Sequence, residues 1–279
     1  CVGTGDWLAM GIVTVTQAAL LALTLWGIAR SFLKIATATG SVKKVRFEHK
    51  AVRAQSAQRA LFGKELCRFT ASPNYMLNCG LGILMLPVAG VVLLIKGGAL
   101  GQLLEDVFGA NAGVVPVLMC AAVCLLASMN DMAAPSVSLE GKSLWLAQSL
   151  PVVPWQVLRA KLDVQLVLTG APVLFCALCM VIVLPGGALE KVLTVVVALL
   201  YTLLSALAAL AFGLKMPNLT WTNEITPIKQ SGCVMLSLFA NWFYAIALGG
   251  LYFLCGNVLS AAAYLAIFAV VTAAGSALL

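Results

Sequence analysis

The sequence predicts an all-α, polytopic membrane protein with about seven transmembrane helices, a cytoplasmic surface helix and short helices in its loops. Three observations carry this. Of 279 residues, 62% are hydrophobic and only 10% charged, whereas a soluble domain carries about a quarter charged residues. The apolar residues come in runs of roughly twenty, the length a helix needs to cross about 30 Å of hydrocarbon. Those runs lack the polar/apolar alternation of barrel strands, and in lipid only helices or closed barrels satisfy their own backbone.

In chain order the predicted spans are roughly 7–29, 75–95, 113–134, 163–184, 191–214, 232–255 and 259–279. The last is rich in Ala and Gly. Residue 1 is Cys, and the first run ends in a basic stretch rather than a small-residue cleavage site, so the reading is a fragment of a longer chain with no signal peptide in view. The segments between spans alternate between basic and nearly uncharged. Segments 30–74, 135–162 and 215–231 hold 15 of the 17 lysines and arginines, while the opposite side has Lys96 and Lys191 beside Asp6, Glu105, Asp106 and Glu190. Positive residues stay in the cytoplasm, so the N-terminus is expected outside and the C-terminus in the cytoplasm. The net charge of +7 then reads as topology and contact with anionic membrane lipid, and it gives no argument for nucleic acid.

Segment 30–74 divides into a basic linker, about 30–50, and an amphipathic stretch. In the latter, Leu61, Phe62, Leu66 and Phe69 share one helical face, with Lys64 and Arg68 on another. Such a helix suits a membrane surface. Ser72 and Pro73 then offer an N-cap hydroxyl and a proline at the first helical position.

In loop 135–162 a short helix is expected around Ser143 to Leu150, then a break at Pro151 and Pro154, and a second helix from Trp155 into the fourth span. Proline within a helix costs roughly 3 kcal/mol, so the pair enforces a bend. Glu140, Lys142 and Gln148 mixed with Leu144, Trp145 and Leu146 make either a solvated loop or a docking surface for another protein. Loop 215–231 carries Trp221, Asn223, Glu224, Lys229 and Gln230, either as a second contact on the same face or as helix caps and interface anchors.

Polar chemistry inside the spans is sparse. Asn130 and Asp131 form the possible intramembrane polar site, near the cytoplasmic end of the third run, as an interfacial charge or as a proton relay or cargo contact. Pro87, Pro116 and Pro172 fall inside spans, where they bend helices or shape a pathway. Cys176 and Cys179 have a CxxC spacing without a neighbouring His, and His49 is the only histidine, so the cysteines read as small hydrophobes, with no metal or catalytic constellation. No G-x-x-x-x-G-K-[ST] phosphate loop is present. Gly80 and Gly82 read as points of close helix packing.

The stretches KELCRFTASPNYMLN (64–78), SLEGKSLWLAQSLPV (138–152) with LRAKL (158–162), and WTNEITPIKQS (221–231) resemble the permease subunits of type-2 bacterial ATP-binding-cassette exporters, from about residue 60 to the end. The resemblance implies a surface helix, a six-helix permease unit over 75–279, and a coupling helix in the 138–158 position. Residues 1–29 would be the last helix of a preceding unit, and 30–74 the linker and surface helix. It implies an ATPase-coupling set of Glu140, Gly141, Lys142, Trp145, Pro151 and Pro154. ATP and magnesium would sit on a separate ATPase partner, with no cofactor bound directly by this chain. A second permease unit, a copy or a different chain, would complete the pore in the cytoplasmic membrane. The expected function is export of a drug, peptide or polysaccharide. An ion- or proton-coupled carrier and a non-transporting anchor or assembly protein are the alternatives.

Overall fold

The computed structural model describes residues 7–36, 55–108, 113–183, 187–256 and 258–279. Every element among them is helical. The expected basic linker at 30–50 lies largely outside these residues, as do the side chains of Glu105, Asp106 and Lys142. Contacts divide the chain into two units, 1–53 and 54–279, which places the amphipathic helix with the larger unit.

The described part of the first unit is one helix, α1 (Trp7–Ala36), apolar over 26 residues. At 1.5 Å per residue that stretch is about 39 Å long, enough to cross a membrane with tilt. Thr14 and Thr16 donate their hydroxyls to the carbonyls of Met10 and Ile12 at 2.8 and 2.9 Å, so neither needs water. The Arg30 guanidinium lies 5.1 Å from the Trp26 ring centre, a cation–π contact at the end of the apolar stretch.

The second unit begins with α2 (Ala57–Ala71) and α3 (Pro73–Cys79). Ser72 Oγ accepts from the Tyr75 N–H and Pro73 takes the first helical position, as the sequence predicts. The helix then stops at Gly80 and restarts as α4 (Leu81–Phe108), where the sequence reading has one continuous span from 75. The long helices that follow are α8 (Pro154–Val183), α9 (Ala188–Lys215), α11 (Gly232–Cys255) and α12 (Ala261–Leu278). With α1 and α4 they make six helices, among the described residues, long and apolar enough to cross a membrane, so the protein is a multi-pass membrane protein. Leu86, Val117, Val173, Val197, Leu248 and Leu265 belong to the core of the second unit.

The third predicted span, 113–134, is not one helix. α5 (Val114–Ala127) is 14 residues long, about 21 Å, and ends in an irregular stretch at 128–132 before the single turn α6 (Ala133–Ser136). Irregular backbone at this depth is tolerated only when buried groups satisfy it. Three side chains do so. Gln165, fully buried in α8, accepts from the Ala133 N–H at 2.7 Å and donates to the Asn130 carbonyl at 3.1 Å. The Tyr75 hydroxyl donates to the Met132 carbonyl at 2.6 Å, and Lys161 Nζ to that of Ser136 at 3.1 Å. Gly82 lets α4 reach the break: a Cβ there would lie 2.7 Å from Asn130 Oδ1 and 2.8 Å from the Leu126 carbonyl. Pro116 sits in the first turn of α5, where a missing N–H has no helical partner to lose, so it bends nothing. Pro87 and Pro172 do lie within α4 and α8.

Between α6 and α8 the chain makes a 3-10 turn (Ser138–Ser143) and the short helix α7 (Leu144–Ser149), then bends through Leu150–Val153 before α8 starts at Pro154. α10 (Ile225–Lys229) lies in the loop between α9 and α11. The expected short helix, the break at the two prolines and the restart are all present.

Candidate functional site

The amphipathic pattern of α2 is turned inward. Leu61 and Phe69 are buried, and Phe69 meets the Tyr75 ring edge-on at 5.1 Å between centres. Phe69 and Tyr75, with Met132, Leu139, Val164 and Ile228, form a second apolar core that joins α2, α3, the break, the 3-10 turn, α8 and α10.

Against that core lies a cluster of five charges from three segments. Glu140 of the 3-10 turn is 3% exposed, Glu65 of α2 is 6% exposed and Lys161 of α8 is 4% exposed. Lys161 Nζ lies 2.6 Å from Glu140 Oε1 and 3.2 Å from Glu65 Oε1. Lys64 stands 3.3 Å from each carboxylate, and Arg68 is 3.2 Å from Glu65 and 3.5 Å from Glu140. Burial works against the Glu140 charge, but the Lys161 ammonium and its hydrogen bond, then Lys64 and Arg68, outweigh it and hold the carboxyl below its usual value of 4.5. Three cations thus surround two carboxylates. Outside the cluster, Gln58 of α2 donates to Asp163 of α8 at 3.1 Å.

The second loop closes over the first. The Trp221 indole N–H donates to the Ser138 carbonyl at 2.6 Å, and the Asn218 N–H to the Ser138 hydroxyl at 3.0 Å. Gly141 has φ +46°, and a Cβ on it would meet the Trp221 ring at 3.1 Å. Positive φ and the indole both require glycine here. Half-buried Trp221 therefore braces the 138–143 turn. Asn223 caps Ile225 through its Oδ1 at 3.1 Å, the Gln230 N–H closes α10 on the Thr226 carbonyl, and Glu224 is half-buried. Lys229 and Gln230 are exposed.

The predicted coupling set thus separates into two groups. Glu140 and Gly141 are turned inward, one into the charge cluster and one against Trp221. Trp145 is 66% exposed, and Leu146, Gln148, Pro151, Pro154 and Trp155 are exposed with it. α7 and the bend are an outward apolar patch carried on an inward ionic mount. Sequence reasoning missed Glu65, Lys161 and Ser138 as parts of this mount. Lys161 counts in the sequence as one more loop cation, and its partners stand 21 and 96 positions away.

Asn130 and Asp131 sit in the break after α5 rather than within a helix. Asp131 is 4% exposed, and neither of its carboxylate oxygens has a hydrogen-bond partner, nor does the Asn130 amide. Ser237 of α11 and the Ala134 N–H face the carboxylate. A cavity of about 290 Å³ opens beside it between α3, the start of α4, the break and α11. Set against known families, curated proteins and solved structures, the chain matches none of them.

Proposed function

We propose that the chain is a permease subunit of an ATP-binding-cassette exporter in the cytoplasmic membrane, its C-terminus in the cytoplasm, moving its cargo with energy from a separate ATPase. The reading begins in the resemblance of residues 64–78, 138–162 and 221–231 to that family. One observation supports it physically: the Glu140–Lys161–Glu65 cluster ties the 138–143 turn to α8, a 30-residue helix long and apolar enough to span the bilayer, and to α2. A partner pressing on α7 would push against a mount rigid enough to move α8 as a body, since a packed interior transmits displacement. In this reading Trp145, Gln148 and the 150–155 bend touch the ATPase, and Glu140 and Gly141 hold them in place.

The test is a pull-down of tagged full-length protein from detergent-solubilised native membranes, followed by an ATPase assay. An ATPase carrying a phosphate-binding loop is expected with wild type, and Trp145→Ala/Gln148→Ala is expected to lose it or to uncouple its activity. Absence of any such ATPase from wild-type material kept as an intact membrane complex overturns the reading. The unpartnered Asp131 favours a second reading, an ion- or proton-coupled carrier, which predicts transport that follows an ion gradient and ignores ATP depletion.

A further inference from the structure

The cavity beside Asp131 has a chemistry that neither reading of the energy source requires. Its wall includes Asp131, Ser128, Asn78, Cys79, Leu238 and Trp242. The rest is aliphatic, and no lysine or arginine contributes to it. An ionised carboxylate in such a setting is costly unless a cation or hydrogen-bond donors compensate it. Among the described residues no cation lies against it, and the donors that face it, the Ser237 hydroxyl and the Ala134 N–H, complete no hydrogen bond to either Asp131 oxygen. The titratable groups nearest the carboxylate are Tyr75 and Cys79 of α3 and Tyr201 of α9, with Cys233 of α11 beside Cys79. None of these is a base that would neutralise it. Trp242 adds an aromatic face to the same wall, and it is partly exposed, so the cavity is reachable from outside the bundle. One carboxylate, one indole and a remainder that is apolar but for Asn78 and Ser128 match a single positive charge carried on an apolar body.

We propose that the cavity between α3, α4 and α11 is a binding site for a lipophilic ammonium ion, with Asp131 as its counter-charge and Trp242 against its apolar part. The site needs no nucleotide and no partner protein, so it stands or falls separately from the ATPase reading.

The experiment uses full-length protein in nanodiscs of zwitterionic lipid, with empty nanodiscs subtracted, and radiolabelled 2-phenylethylammonium as probe. Saturable binding is expected at neutral pH. It should weaken on acidification, as a proton competes for the carboxylate, and unlabelled 2-phenylethanol, similar in shape but neutral, should fail to compete. Asp131→Asn should bind roughly thirtyfold more weakly or worse, the range for truncating one partner of a buried charge pair. Trp242→Leu should lose roughly threefold.

A second measurement uses wild type alone, so it does not depend on a variant folding. Dicyclohexylcarbodiimide modifies protonated carboxyls in apolar surroundings, and peptide mass spectrometry should place the adduct on Asp131, with the ammonium probe protecting it. Equal binding by Asp131→Asn, competition by the alcohol, or labelling of Asp131 that the probe does not slow would each overturn the proposal. The last would mean that only a proton occupies the site.

Discussion

Two acidic residues nine positions apart, Asp131 and Glu140, are equally buried and oppositely equipped. Glu140 has Lys161, Lys64 and Arg68 within 3.5 Å of one carboxylate oxygen. Among the described residues Asp131 has no ionic partner, and neither of its oxygens is hydrogen-bonded. Burial alone therefore says nothing about role. A compensated charge holds segments together, and its worth shows when one member is removed. A buried carboxyl without a partner stabilises nothing in the fold, and either a proton or a ligand must answer it. The two acids flank α6, Asp131 before it and Glu140 within the turn that follows, so the comparison can be broken by substitutions only a few residues apart.

The largest effect is expected from Lys161→Met. It leaves Glu65 and Glu140 facing one another with only the more exposed Lys64 and Arg68 to compensate them. Breaking a buried ion pair on one side costs about 3–5 kcal/mol, so the variant should lose much of its thermal stability in detergent or fail to stay monodisperse. A melting temperature like that of wild type would mean that the cluster is not a mount. Next comes Gln165→Leu, which strands the Ala133 N–H and the Asn130 carbonyl at the break. Each stranded group costs about 1–3 kcal/mol. The accompanying sign of failure should be local: faster amide exchange over 128–136 than over α9, read by mass spectrometry.

Why the sequence shows the helices but not this contrast follows from where the partners lie. Span lengths, the Ser72–Pro73 start and the restart of α8 at Pro154 are written within a few residues of where they act, so hydropathy and proline chemistry reveal them. The break after Ala127 is hidden because residues 113–134 are apolar apart from Ser128, Asn130 and Asp131. What makes the break stable is Gln165 and Tyr75, 32 and 57 positions from the backbone groups they satisfy. The inward turn of Glu140 is hidden for the same reason. Beside Gly141 and Lys142 it reads as a loop charge, and only the folded chain brings Glu65 and Lys161 to it. The positive φ of Gly141 and its contact with Trp221, 80 positions away, likewise have no local signature.

A smaller effect is expected at the brace between the loops. Gly141→Ala must hold a Cβ at φ +46° and press it against the Trp221 indole. The backbone strain alone is about 1–2 kcal/mol. Trp221 fluorescence in a background lacking the other tryptophans should shift as the ring leaves Ser138, and Trp221→Phe should lose the hydrogen bond while keeping the ring. Acid adds a second route to the same region. Because Glu140 titrates below its ordinary value in the folded protein, its contribution to stability is complete above that value and is lost as pH falls through the lower, folded one. Stability measured against pH should therefore drop only in the acid range, and Glu140→Gln should flatten that part of the curve.

The smallest effect sharpens the comparison most. Asp131→Asn removes a carboxylate that no described residue pairs with, and replacing an unpaired polar group by a neutral one of the same shape is nearly free or stabilising when no partner is stranded. Asp131→Asn should therefore melt at or slightly above the wild-type temperature, while Glu140→Gln, of identical chemistry, melts clearly below it. Were both to fall together, Asp131 would have a structural partner after all, and the 128–132 break would be held by that charge as well as by Gln165 and Tyr75. If only Glu140→Gln falls, the fold has no use for the Asp131 carboxylate, and a cation from outside the chain is the partner left to explain why an acid stands there.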